Sequence, residues 1–381
     1  MKFMYLAPMA LAAAALASCG GSGTGASLTK SGLDPQKFVA DVNGKQTALY
    51  TLTNADGMEV CITNFGGRIV SMMVPDRNDS LRDVVLGFDS IQAYFPENNQ
   101  SDFGAAIGRY ANRINKGSFV LDCDTVQLPV NNFGHCLHGG PTGWQYQVYD
   151  AQQPDDSTLV LTMNSPAGDN DFPGAVTAVV TYTLHADNEL DIDYEATTDA
   201  PTVINMANHS YFCLSGDPAR TVADDVLYLN AATYTPVDST FMTTGEILPV
   251  EGTPMDFTTA KPVGQDYTAF DFEQVKNGNG FDHNWVLATE GDINQPAAVL
   301  TSPESGITLT VRTDEPGIQF YSGNFLDGTN TGKHGIVYQQ HAGLCLETQH
   351  YPDSPNKPEW PSTVLRPGEK YHSRTVFAFT K

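Results

Sequence analysis

Between Val179 and Ala196 the chain spells out a strand, a turn and a second strand: Val179-Val180-Thr181-Tyr182-Thr183-Leu184-His185, then Ala186-Asp187-Asn188-Glu189, then Leu190-Asp191-Ile192-Asp193-Tyr194-Glu195-Ala196. In the second half apolar residues alternate strictly with carboxylates. Successive side chains of a strand point to opposite faces, so this period of two puts one face in a core and the other in water. The spacing predicts an antiparallel hairpin. Residues 307–312 and, more loosely, 375–379 repeat the alternation, and no long segment carries a helical period. Glycine and proline punctuate the chain throughout instead of gathering at one boundary, which predicts many short strands in a single all-β sandwich or barrel.

The N-terminus reads differently. Met1-Lys2 precedes a mostly apolar run from Phe3 to Ala17, shorter than the roughly 20 residues that a spanning helix needs; this is the pattern of a secretion signal. Its end, Leu16-Ala17-Ser18-Cys19-Gly20, resembles a bacterial lipobox, in which cleavage precedes a cysteine that is then lipidated. Residues 1–18 are expected to be the signal peptide, with Cys19 as the lipidated new N-terminus. The segment Gly20-Gly21-Ser22-Gly23-Thr24-Gly25-Ala26-Ser27 has nothing to bury and is expected to be flexible. Residues 19–36 are assigned to a tether and 37–381 to the globular body. A lipid-anchored protein of the cell envelope follows, facing the periplasm or attached to the outer membrane.

Composition narrows the ligand. The whole chain carries 20 basic and 44 acidic residues, a formal charge of −24, so nucleic acid and anionic lipid headgroups are repelled and neutral ligands fit better than phosphorylated ones. Beyond Cys19 there are Cys61, Cys123, Cys136, Cys213 and Cys345, an odd number without Cys-x-x-Cys spacing, from which neither a full disulfide set nor a structural zinc site follows. Most are expected to be small buried hydrophobes, with one bridge left open.

Three residues stand in surroundings suited to chemistry. Glu347 follows the apolar run Gly343-Leu344-Cys345-Leu346 and opens the segment Thr348-Gln349-His350-Tyr351-Pro352-Asp353-Ser354-Pro355-Asn356; His138 sits in Leu137-His138-Gly139-Gly140; His209 sits in Asn208-His209-Ser210-Tyr211-Phe212. One carboxylate and two imidazoles read as an acid/base site: a carboxylate is ionised at neutral pH, and an imidazole becomes a donor beside a negative charge.

In order and spacing, these segments resemble the aldose 1-epimerase (galactose mutarotase) family. The resemblance extends to Asn64-Phe65-Gly66-Gly67-Arg68, to Gly108-Arg109-Tyr110-Ala111-Asn112-Arg113-Ile114, and to Gly280-Phe281-Asp282-His283-Asn284-Trp285. Pro316-Gly317-Ile318-Gln319-Phe320-Tyr321 and residues 360–369 also match, so nearly the whole body is covered. It implies a large twisted antiparallel β-sandwich with an aldose held in a cleft across one sheet. It also implies interconversion of the α and β anomers of free aldohexoses such as galactose and glucose. Glu347 would be the base on the C1 hydroxyl, His209 the acid on the ring oxygen and His138 a hydrogen-bond donor near that oxygen; Asn112, Arg113, Asp282 and Gln319 would bind sugar hydroxyls. No metal or organic cofactor is called for. Arg109 is expected in a structural ion pair, Asn64–Arg68 and 360–369 in scaffold. The aromatics beside Gln319 are expected to pack in the core, and the His138 glycines to let backbone approach the sugar. Cys213 stands where relatives often have asparagine, a position that supplies neither acid nor base.

The competing reading is a non-catalytic carbohydrate-binding lipoprotein on the same fold, against which stands the presence of both a base and an acid. A glycoside hydrolase would need two carboxylates flanking the scissile bond, and a sugar-phosphate epimerase would want a basic cluster that the sequence lacks.

Overall fold

The structure, a computed structural model, describes residues 27–98 and 101–381. Its architecture is nearly all β. The largest sheet has nine antiparallel strands in the order Asp150–Gln152, Thr158–Ser165, Val176–Leu184, Glu189–Thr198, Tyr371–Thr380, Thr308–Thr313, Ala298–Thr301, Val226–Leu229 and Lys261–Pro262. The predicted hairpin lies at its centre, with Val180 opposite Tyr194 and Leu184 opposite Leu190. The alternation does what its period requires. Leu190, Ile192, Tyr194 and Ala196 are buried, while Asp191, Asp193 and Glu195 meet Arg374, His372 and Lys370 in ion pairs with the neighbouring C-terminal strand or the residue leading into it.

A second sheet of six strands runs Tyr211–Phe212, Leu344–Gln349, Gly317–Tyr321, Asp282–Val286, Thr233–Thr235, Leu248–Pro249. Leu344, Leu346, Ile318, Phe320 and Trp285 of this sheet share one core with Leu190, Ile192, Leu309, Val311, Phe377 and Phe379 of the first. Phe212 meets Phe377 edge to face across the layer, with ring centroids 5.1 Å apart. Opposite faces of a strand take alternate residues, so Cys345, Glu347 and Gln349 are directed away from this core. A four-stranded sheet, Leu49–Thr53, Glu59–Thr63, Arg68–Pro75 and Leu81–Asp83, and five two-stranded sheets make up the rest of the strand pairing among the described residues. The only α-helical stretch among the described residues is Glu273–Asn277.

Two expectations are corrected here. Residues 29–36, assigned above to the tether, pack on the body: Leu33 is buried, Ser31 Oγ bonds Ser71 Oγ at 3.0 Å, and the Lys30 amide donates to Glu59 at 2.6 Å. Arg109 is structural but makes no direct ion pair among the described residues. Its guanidinium donates to the carbonyls of Pro166, Pro173 and Gly174 and to the hydroxyls of Ser165 and Thr202, and Asp169 acts on it through the Ser165 hydroxyl that it also accepts from. The signal peptide and Cys19 lie outside the described residues. The five described cysteines are unpaired, four of them buried and Cys123 exposed.

Candidate functional site

Short ladders assemble the site. Gln319 is paired across the sheet with Glu347 on one side and with Asn284 on the other, and Tyr321 likewise with Cys345 and Asp282. Tyr211 is opposite Cys345. Cross-strand partners share a face, so Glu347, Gln319, Asp282, Tyr321 and Tyr211 belong to one surface. The strand Ala207–His209 pairs with Ala105–Ile107, placing His209 opposite Ala105. Leu137 pairs with Arg113, which sets His138 beside Asn112. The loop after Leu344–Gln349 docks on this last segment: Asp353 donates its amide to the Arg113 carbonyl at 2.8 Å and accepts from the Asn115 amide at 2.9 Å.

The result is a cavity of about 250 Å³ whose walls include Asn112, Arg113, His138, His209, Asp282 and Glu347, together with Asp102, Tyr211, Tyr321 and Phe325. Glu347, which follows an apolar run in the sequence, is the fourth residue of the six-residue strand Leu344–Gln349, and it is buried. His209 Nε2 lies 3.5 Å from Glu347 Oε1. The ring of His209 is packed against Tyr211 (centroids 5.2 Å, 28°) and meets His138 edge to face at 5.1 Å. Its Nδ1 is 3.5 Å from the Cys345 sulfur. Burial and the charge of Glu347 hold that thiol protonated by raising its pKa well above the ordinary value. Nε2 faces Glu347, so it is the ring nitrogen placed to exchange a proton with that carboxyl. His138 has a fixed tautomer: its Nδ1 accepts the Asn112 amide at 3.2 Å, so the proton of the neutral ring sits on Nε2 and is available for donation.

The binding candidates are held as firmly. Gln319 is not on the lining surface as a free contact; its amide donates to Asp282 Oδ1 at 2.7 Å and orients that carboxylate. Arg113 donates to Asn132 at 2.8 Å and lies over the Phe241 ring at 5.2 Å. Asn112, with φ of 59°, uses its side-chain oxygen on the Arg113 amide. Both aromatics beside Gln319 pack in the core as expected, Phe320 in the main cluster and Tyr321 in a second one, and Tyr321 also lines the cavity. The glycines after His138 serve the fold: a Cβ on Gly139 would stand 2.3 Å from the Gly108 carbonyl, and one on Gly140 would stand 2.9 Å from the Asn170 side chain. Among the described residues, Glu347 Oε2 and Arg113 Nε, both on cavity-lining side chains, are buried without a protein partner, the kind of polar atom that the hydroxyls of a ligand satisfy.

Burial disfavours the charged forms of the acid/base groups. Burial raises Glu347 well above the carboxylate range, with Asp282 and Asp102 adding to the shift and Arg113 opposing it. Burial also lowers His209 to about 4 and depresses His138 further, the latter with help from His209 and Arg113. The ligand atoms of His138, His209 and Glu347 all fall within 4.8 Å of one another, so these three are also the described residues that could chelate a divalent ion. The proton chemistry described below requires none. A larger groove of about 780 Å³, lined by Lys45, Phe65, Phe95 and Tyr146 among others, brings together no such acid/base set. Asp102, Tyr211, Tyr321 and Phe325 were not singled out from the sequence; Tyr211 was within reach as a member of the His209 segment, whereas Asp102 lies in a polar stretch that reads as an ordinary loop.

A β-sandwich with a buried carboxylate and imidazole facing each other across a small polar cavity defines an acid/base protein for a compact neutral ligand. The chain belongs to the aldose 1-epimerase family, whose model matches residues 48–378. It is 41% identical to galactose mutarotase of Mus musculus over 329 residues, 86% of this chain and 92% of that protein. With aldose 1-epimerase of Escherichia coli the identity is 37% over 339 residues, 88% and 96% of the two chains. Among solved structures, an aldose epimerase homologue from C. elegans matches with a TM-score of 0.81 at 30% identity, covering 88% of this chain and 99% of that one.

Proposed function

We propose that the protein is an aldose 1-epimerase that interconverts the α and β anomers of free aldohexoses, with galactose and glucose as substrates. The observation that carries this reading is the 3.5 Å approach of His209 Nε2 to Glu347 Oε1 inside the cavity, in a chain of this family. Ring opening needs a proton removed from the C1 hydroxyl and one delivered to the ring oxygen; reclosure on the other face needs the reverse. Burial favours the form with the proton on Glu347 and His209 neutral. The alternative form, carboxylate and imidazolium, holds the same number of protons. Entry of hydroxyl donors that solvate the carboxylate therefore converts one into the other without exchange with solvent. Glu347 then accepts the C1 proton while His209 protonates the ring oxygen, and His138 Nε2 donates a hydrogen bond beside it. Arg113, Asn112 and Asp282 fix the ring, Asp282 being steadied by Gln319. Each positioned proton transfer is worth about 10²–10⁴-fold. Exchange spectroscopy between the anomeric protons of α- and β-galactose tests the reading: catalytic protein should give exchange cross-peaks, and their absence at saturating protein would count against it.

The pH dependence follows from the pair as a unit. Activity requires exactly one proton on Glu347 and His209 together. A second proton binds as pH falls through the lowered His209 value of about 4, and the last is lost only as pH rises through the raised Glu347 value. The expected kcat/KM thus has an acid limb near 4, set by His209, and a plateau above it that ends at the raised Glu347 value. A fall centred on the ordinary imidazole value of about 6.5 would contradict it.

The cellular setting is part of the same proposal. Leu16-Ala17-Ser18-Cys19 supports lipidation at Cys19, and no described helix is long and apolar enough to cross a membrane, so the envelope attachment would be the lipid. Changing Cys19 to serine is expected to move the protein from the membrane pellet to the soluble fraction; pelleting of both forms alike would remove the anchor from the account.

A further inference from the structure

Three carboxylates line the cavity, and the mechanism uses two of them. The third, Asp102, carries no role in the anomer exchange and departs from ordinary loop chemistry in several ways. The Tyr146 hydroxyl interacts with the carboxylate, while Oδ1 is buried without a partner among the described residues. A buried acceptor left empty is costly, and each such atom in a native structure asks for a ligand. The backbone around it is clamped. Fully buried Arg68 donates to the carbonyls of Ser101 and Phe103, on either side of Asp102, at 3.2 and 3.1 Å. The Asp102 carbonyl itself accepts the Ala105 amide at 3.0 Å. Phe103 is locked edge to face against Tyr211, 4.7 Å between centroids. Burial raises the Asp102 carboxyl to about 6, so it is largely ionised at neutral pH and acts as an acceptor for a donor that enters the cavity. A hydroxyl entering the cavity is a donor that fits this acceptor.

We propose that Asp102 is a specificity-determining sugar-binding residue whose Oδ1 accepts a hydrogen bond from one ring hydroxyl of the bound aldose other than the C1 hydroxyl. This rests on the reading of the cavity as an aldose site. Preorganised by Arg68 and Tyr146, the carboxylate rewards one configuration at one carbon and leaves its acceptor unpaired for the epimer.

The test pairs Asp102→Ala and Asp102→Asn with glucose, galactose and their 2-, 3-, 4- and 6-deoxy analogues, read by mutarotation and by calorimetric binding. In the unmodified protein, loss of the one hydroxyl that Asp102 holds should weaken kcat/KM and binding by about 10–100-fold, as for a hydrogen bond to a charged group. In Asp102→Ala the same deletion should cost nothing further, while the other deoxy analogues keep their penalties, and the change should appear in KM and Kd more than in kcat. Asp102→Asn keeps the shape of the side chain and should show the same single-position pattern more weakly, which secures the result if the alanine variant does not fold. Equal weakening of every sugar, or an unchanged deoxy pattern, would overturn the proposal. Binding without turnover in the unmodified protein would instead strike at the epimerase reading, and calorimetry would still decide the role of Asp102.

Discussion

Glu347→Gln is expected to abolish mutarotation while making the protein more stable. The amide cannot take the C1 proton, so turnover should fall by about 10²–10⁴-fold. The cavity walls stay as they are, and sugar binding should persist within a few fold. The stability effect has the opposite sign because Glu347 is buried, and burial raises its pKa well above the ordinary value. A carboxyl raised on folding contributes stability that is complete below its unfolded pKa and is lost as pH rises through the folded one. The loss accrues between the two pKa values, so at neutral pH the native protein has already given up part of that stability, and the glutamine variant has not. Its melting temperature should therefore exceed that of the parent at pH 7, and the gap should narrow as pH is lowered toward 4.5. Retained turnover would remove Glu347 as the base; a lower melting temperature at pH 7 would contradict its electrostatic cost.

His209→Asn should be nearly as damaging to kcat, again by about 10²–10⁴-fold, with KM little changed. The acid limb near pH 4 should vanish with it, since that limb belongs to the second proton on the pair. Because the two groups hand over and receive protons in one event, the double variant should be scarcely worse than either single one. Multiplicative losses would mean that they act independently, and an intact acid limb would assign that titration to another group.

The fold was readable where the chain alternates. Residues 179–196 declared a hairpin because one face had to be buried, and the ion pairs of Asp191, Asp193 and Glu195 account for the other. What stayed hidden depends on contacts across long sequence distances. Nothing near Leu33 signals that it will be buried, so the tether was drawn too long. Arg109 looks like any arginine until the carbonyls of residues 166–174 fold over it. The site residues announced themselves only through local motifs. His138, His209, Asn112, Arg113, Asp282 and Glu347 come together around one cavity, while Gln319 serves by holding Asp282. Asp102 has no motif of its own. Its importance comes from Arg68, more than thirty residues upstream, and Tyr146, more than forty downstream.

The central claim, that Glu347 and His209 exchange protons with the anomeric centre of a free aldose, is tested most directly by polarimetry of freshly dissolved α-galactose. The spontaneous rate is subtracted, and the parent protein is compared with Glu347→Gln. The account predicts first-order relaxation that quickens in proportion to the parent protein and returns to the spontaneous rate with the variant. Relaxation that the parent protein fails to hasten, although the sugar binds saturably, would contradict it and leave a carbohydrate-binding protein in place of an enzyme.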